Sequence, residues 1–132
     1  MIETQKERLR ILIVDNHEEL VKQIKTRLSY EDDFDVCMVA PLSRLTESLL
    51  YCKPDILLID PYFDSSYKYD RIKLAMDLMP SLVVVVLTAV VDTAMKIRLK
   101  KEGIHCVLEK GISSGDLVNT LREVIASQCN QL

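Results

Sequence analysis

The chain has 132 residues, 48% of them apolar and 28% charged, with a net charge of −3. That length holds one domain with one substantial core and is short for two. The composition excludes a disordered chain, the weak negative charge gives no pull toward nucleic acid or an anionic membrane, and the longest apolar run, "LVVVVLTAVV", is too short to cross a bilayer.

The opening "MIETQKERLR" is polar and does not read as a secretory leader. Next comes "LRILIV" (9–14), a β-branched run of strand length that stops on Asp15 and Asn16. Leu20, Ile24 and Leu28, at i, i+4 and i+8, predict the first helix. The acidic "EDDFD" (31–35) reads as an exposed loop, leading into a weaker strand, "FDVCMV" (34–39). Leu45 and Leu49 predict a second helix, with Ser43 placed to cap it. "DILLI" (55–59) is the third strand and runs straight into Asp60. The segment after it, "PYFDSSYKYD", carries Tyr62, Phe63, Tyr67 and Tyr69, placed to cover whatever lies at that strand end, and Asp64, placed to cap the next helix.

Ile72, Ala75, Met76 and Met79 predict the third helix, and "LVVVVL" (82–87) the fourth strand, followed by Thr88. The stretch 92–101, "DTAMKIRLKK", reads as a shorter helix between Asp92 and Gly103. Its Lys96, Arg98, Lys100 and Lys101 form either a solvated face or a docking surface. A weaker fifth strand, "IHCVL" (104–108), leads to Lys110. Leu117, Leu121, Val124 and Ile125 mark the last helix, with Ser113 or Ser114 as its cap. The four cysteines, Cys37, Cys52, Cys106 and Cys129, show no C-x-x-C pair and read as reduced thiols, mostly in the core.

The alternation is (βα)5. Continuous apolar strands separated by amphipathic helices predict a single α/β domain, a parallel sheet covered on both faces. Ligands of such sheets bind beyond the carboxyl ends of the strands. Those ends carry Asp15, Asn16, Asp60, Thr88 and Lys110. Asp15, Asn16 and Asp60 offer hard oxygens that suit Mg²⁺. Lys110 is a point charge for a phosphoryl group, Thr88 supplies a hydroxyl, and the N–H groups of Tyr62 and Ala89 are placed to face an anion. This is a set for phosphoryl transfer by charge neutralisation, with a carboxylate as nucleophile.

The set resembles the receiver domain of two-component response regulators. Four spaced matches carry the likeness, "ILIVDN", "PDILLID", "VVVLTA" and "VLEK", over roughly residues 8 to 127. "IVDNH" and "EKGISSGDLVNTLREVI" are most similar to receivers fused to a helix-turn-helix output domain. The resemblance implies a flavodoxin-like sheet of order 2-1-3-4-5. It implies Asp60 as phosphoacceptor; Asp15, Asn16, Asp60 and the carbonyl of Tyr62 around Mg²⁺; and Thr88 and Lys110 on the phosphoryl oxygens. It further implies a cytoplasmic signalling module that is not an enzyme in the ordinary sense. Its partners would be a histidine kinase or phosphotransfer protein, a fused or separate output domain, and a second copy in a homodimer, with no direct nucleic-acid or membrane contact. Residues 1–132 are expected to be one receiver-like domain, either whole or cut before an output domain.

The chain departs from the family pattern in four respects. Asn16 stands where a second aspartate is usual, Val107 where an aromatic reports the switch, and Gly111 where a proline commonly follows the lysine. Tyr62 and Val90, at the positions that tune hydrolysis, bring no carboxylate to orient water. These departures keep open a degenerate receiver, acting as an interaction or dimerisation domain without phosphorylation. A flavodoxin-like cofactor binder fits less well, because "DNHEEL" after the first strand has no glycine to cradle a phosphate. A D-x-D hydrolase fits less well too, because "DPY" does not supply the pair.

Overall fold

The computed structural model describes residues 8–63 and 66–129, without the side chains of Phe63, Gln128 and Cys129. The expected cap at Asp64 and the thiol of Cys129 therefore lie outside the described residues. In chain order the elements are β1 (Leu9–Val14), α1 (Glu18–Ser29), β2 (Phe34–Ala40), a 3₁₀ turn (Leu42–Arg44) running into α2 (Leu45–Cys52), β3 (Ile56–Ile59), β4 (Tyr62–Phe63), β5 (Ser66–Tyr67), α3 (Tyr69–Leu78), β6 (Val83–Thr88), α4 (Thr93–Lys101), β7 (Cys106–Glu109) and α5 (Ser114–Cys129).

β3, β6 and the last four residues of β1 are buried on both faces, so their sequences run apolar rather than alternating, with Arg10 confined to the half-buried start of β1 and Thr88 to the end of β6. The main sheet is parallel, with order β2-β1-β3-β6-β7, which is the expected order 2-1-3-4-5 once the two short strands are set aside. Those two, β4 and β5, form a small antiparallel hairpin that the sequence reading did not foresee.

Alternate residues of each strand serve two cores. Leu12, Val14, Leu57, Ile59, Val84 and Val86 pack against α2, α3 and α4. Ile11, Ile13, Leu58, Val85 and Leu87 pack against α1 and α5 through Ile24, Leu28, Leu117 and Leu121. Each fully buried Leu, Ile or Val contributes about 1.5–3 kcal/mol of transfer free energy.

The helix ends explain the boundaries. The Asp92 carboxylate accepts the Met95 N–H at 2.8 Å and starts α4. At its other end Gly103 takes φ +95°, and the Ile104 N–H reaches back to the Leu99 carbonyl at 3.1 Å, a Schellman closure. Ser113 Oγ accepts the Asp116 N–H and caps α5. Ser43 is not the cap of α2: it sits inside the 3₁₀ turn, and the N-cap position before Leu45 is Arg44, which makes no side-chain cap bond. The acidic stretch is pinned rather than loose. Arg122 of α5 forks onto Asp33 at 2.9 Å through Nε and Nη2, reaches Glu31 at 3.1 Å, and lies over the buried Phe34 ring.

Two cysteines depart from the expectation of separate thiols. Cys37 of β2 and Cys52 at the end of α2 are joined as a disulfide, with Cα atoms 6.0 Å apart. Fifteen residues separate them in the chain, so no local motif announced the pair; the crossover that lays α2 over β2 brings them together. Cys106 remains a free thiol, and burial pushes its pKa up, away from reactivity.

His105 leads into β7. Its Nδ1 accepts the Val84 N–H at 3.0 Å while its own N–H donates to the Val84 carbonyl. Burial lowers its pKa below the usual histidine value. The unfolded chain therefore binds the extra proton first. Stability is fully present above the unfolded value of about 6.5 and falls as pH drops below it. Thermal melts between pH 7.5 and 5 are expected to show this decline, and His105→Gln to flatten it; an unchanged slope in the variant would contradict the assignment.

Candidate functional site

The register of the sheet brings the strand-end residues together. Val14, Ile59, Val86 and Val107 lie side by side on one rung across β1, β3, β6 and β7. Asp15 and Asp60 each follow that rung by one residue. The ladder also continues past the strands: the Asp15 N–H donates to the Ala40 carbonyl at 3.0 Å and the Asp60 N–H to the Val14 carbonyl at 3.1 Å. The Lys110 N–H donates to the Thr88 carbonyl at 2.8 Å. Three of the functional backbones are thus fixed by sheet hydrogen bonds rather than by loop conformation.

The side chains at these positions are strongly sequestered. Asp15, Asp60 and Lys110 keep 4%, 7% and 11% of their side-chain surface exposed. At that burial an unpaired carboxylate is costly, and each has its partner. The Lys110 ammonium lies 2.7 Å from Asp60 Oδ2, 3.0 Å from Asp15 Oδ2 and 2.8 Å from His17 Nδ1. The two carboxylate oxygens accept from the ammonium, whereas His17 Nδ1, which also lies 3.0 Å from Asp15 Oδ1, accepts from Lys110 only in the tautomer that leaves it unprotonated. The remaining oxygens are occupied from the backbone: Asp60 Oδ1 accepts the Tyr62 N–H at 3.1 Å, and Asp15 Oδ1 accepts the His17 N–H at 2.9 Å. Thr88 is buried at the end of β6.

Asn16 stands apart from this cluster. It is exposed, and its carboxamide oxygen faces the Leu42 N–H at 3.4 Å, toward the turn after β2. His17 keeps 68% of its side chain exposed yet turns its ring onto Lys110 and Asp15. Its position directly after "DN" was the only sequence signal for that role. The tyrosines after Asp60 do not turn their hydroxyls to the pocket, and the Phe63 side chain lies outside the described residues. Tyr62, Tyr67 and Tyr69 reach α4 instead, where Arg98 donates to the Tyr62 hydroxyl at 3.2 Å and the Tyr67 and Tyr69 hydroxyls donate to Glu102.

Ligand atoms of Asp15, Asp60 and His17 all lie within 4.8 Å of one another. Two hard carboxylates fit a Mg²⁺ that retains several waters. Those carboxylates are the ones Lys110 holds, so a bound cation would share or displace an ammonium contact. Beside the cluster a cleft of about 420 Å³ opens between α1 and the end of β2, lined by Asp15, Asn16, Lys22, Lys25 and Val39 among others.

The model of the response regulator receiver domain family matches residues 11–122. Among solved structures, the non-phosphorylated receiver domain of the stress response regulator RcsB from Escherichia coli is 19% identical, with a TM-score of 0.82 over 92% of this chain and 95% of that one. The isolated RcsB receiver from Salmonella enterica serovar Typhimurium, in the presence of the phosphomimetic BeF3⁻, is 20% identical, with a TM-score of 0.77 over 88% and 87% of the two chains. In a longer Salmonella RcsB response regulator chain the likeness covers 92% of this chain and 62% of that one, at 19% identity and a TM-score of 0.80. No curated protein matches the chain.

Asn16→Asp restores a carboxylate beside Asp15. It is expected to tighten Mg²⁺ binding by about tenfold or more, read by titration of tyrosine fluorescence, with Tyr62 bonded to Asp60 as the reporter. Unchanged affinity would show that position 16 does not contribute to the cation site.

Proposed function

The chain belongs to the response regulator receiver domain family, and from that premise we propose that it is the phosphoacceptor module of a two-component system. Receiver domains of response regulators are signalling domains rather than enzymes in the ordinary sense. The observation that carries the finer reading is the buried Asp60 carboxylate at the end of β3, 2.7 Å from the Lys110 ammonium and adjacent to Asp15.

In this reading a histidine kinase or phosphotransfer protein presents a phosphohistidine to the pocket. An Asp60 oxygen attacks phosphorus, the P–N bond breaks, and its electron pair returns to the donor imidazole. The product is an acyl phosphate on Asp60. Lys110 follows the charge from carboxylate to phosphoryl oxygen, and the Thr88 hydroxyl is placed to donate to a second oxygen. A Mg²⁺ held by Asp15 and Asp60, with the Tyr62 carbonyl as a further ligand, would neutralise charge on the phosphoryl group. The new anion biases residues 89–112, including α4 and β7, toward a second arrangement that binds an output domain, a separate partner or another copy. The same reading keeps the module in the cytoplasm; no helix among the described residues is long and apolar enough to cross a membrane.

A second reading has a specific observation behind it. Asn16 faces Leu42 instead of the pocket, and the Lys110 ammonium is already paired with both buried carboxylates. A pocket neutralised from within suits a degenerate receiver that holds one conformation without phosphorylation.

Intact-protein mass after incubation with acetyl phosphate and Mg²⁺ separates the two. One phosphoryl adduct is expected in the native chain and none in Asp60→Ala. Absence of the adduct at high Mg²⁺ would favour the degenerate receiver. Val90 is exposed and, like Tyr62, carries no carboxylate to orient a water. The adduct is therefore expected to persist for minutes or longer, and decay within seconds would contradict that assignment.

A further inference from the structure

Coupling between a pocket and a distant surface needs contacts that can carry a displacement. The route through Thr88 toward β7 ends at Val107, which has no ring to swing and no polar atom to re-pair. A second route leaves Asp60 in the other direction. The Tyr62 N–H is bonded to Asp60 Oδ1 at 3.1 Å. The Tyr62 ring lies 5.2 Å from that of Tyr67, and Tyr67 stacks on Tyr69 at 6.1 Å. This three-ring stack grips the last turn of α4. The Arg98 guanidinium donates to the Tyr62 hydroxyl and lies 5.0 Å over the Tyr67 ring. The Tyr67 hydroxyl donates to Glu102 Oε2 at 2.7 Å, and the Tyr69 hydroxyl donates to the Glu102 carbonyl at 3.1 Å.

α4 is the helix on which such a grip has most effect. Leu99 is its one buried residue, whereas α1 buries Val21, Ile24 and Leu28, and α2 buries Leu45, Ser48, Leu49 and Cys52. A helix with so little core contact sits at the low end of local stability. Its seating is set as much by the tyrosines as by the sheet. Arg98 and Glu102 are four residues apart and share one face, so the rings act on a single strip of the helix.

We propose that Tyr62, Tyr67 and Tyr69 are positioning residues that link the charge on Asp60 to the seating of α4, through Arg98 and Glu102. Removing or masking the Asp60 carboxylate releases the Tyr62 N–H. The ring stack then shifts, and the C-terminal turn of α4 shifts with it. Coupling is reciprocal, so the state of α4 also sets how Tyr62 addresses Asp60. The natural stimulus, phosphorylation, rests on the function proposed above; the mechanical link does not.

Hydrogen exchange of amides 93–101, measured by mass spectrometry on the full chain, tests the link as a mutant cycle. Asp60→Ala is compared with the parent in three backgrounds: native, the double variant Arg98→Ala/Glu102→Ala, and Glu102→Gln, which keeps an acceptor for Tyr67; Asp60→Asn, run in parallel, removes the charge but keeps an acceptor for the Tyr62 N–H and is expected to respond less than Asp60→Ala. In the native background, loss of the Asp60 charge is expected to change exchange in α4 by about fivefold or more. The double variant, which leaves only the Tyr69 contact to the Glu102 carbonyl, is expected to cut that response by at least half, and Glu102→Gln to preserve it. No response in the native background, or an equal response in the double variant, would overturn the link. Failure of phosphorylation is read separately by the mass adduct, so the two ideas fall independently.

Discussion

The Lys110 ammonium, set between Asp60, Asp15 and His17, is the interaction on which the rest of the molecule depends. Parallel strands buried on both faces leave no room for charge along their length, so charge collects at their carboxyl ends. Two carboxylates that close together and that buried would repel each other and unsettle β1 and β3. A single cation from beyond β7 removes the conflict and ties the edge of the sheet to its centre. Taking Lys110 away would leave both carboxylates buried without their shared counter-ion, a loss of about 3–5 kcal/mol for comparable buried pairs.

Most of the fold was legible in the sequence because its signal is burial. β3, β6 and the last four residues of β1 are buried on both faces, and the apolar runs predicted these strands to within a residue. β2 and β7 were weaker because they are the edges of the sheet. β2 is mostly half-buried and slips register between Ile11 and Leu12 of its neighbour, and β7 is half-buried with its last residue exposed. The hairpin of β4 and β5 had no readable signature, since two-residue strands carry no periodicity. Ser43 misled because a 3₁₀ turn took the place of the expected cap.

The site was legible as a set of strand ends, but side-chain directions were not. Asp15, Asp60 and Lys110 converge because adjacent strands share a register, and register follows from the apolar pattern. Asn16 and His17 are neighbours in sequence, yet one turns toward Leu42 and the other toward Lys110, a choice made by the turn into α1. The aromatic segment is a similar case. Its composition suggested a cover for the pocket, whereas its hydroxyls found better partners at the exposed end of α4, where Glu102 offers both a carboxylate and a backbone carbonyl. Burial, followed by the Glu102 carboxylate, keeps the Tyr67 phenol protonated and therefore a donor. The disulfide between Cys37 and Cys52 was invisible for the same reason: spacing in the chain says nothing about a contact made by a crossover.

The shared rung of Val14, Ile59, Val86 and Val107 also bears on how such a chain can change over generations. The pocket is a reading frame. Inserting or deleting one codon within β1 or β3 would turn every following side chain to the opposite face and carry its aspartate away from Lys110. An insertion of the same size after the strand ends leaves that frame intact. The frame therefore tolerates a change of length only in the segments beyond Asp15, Asp60 and Thr88, and the stretch after Asp60 lies in such a segment.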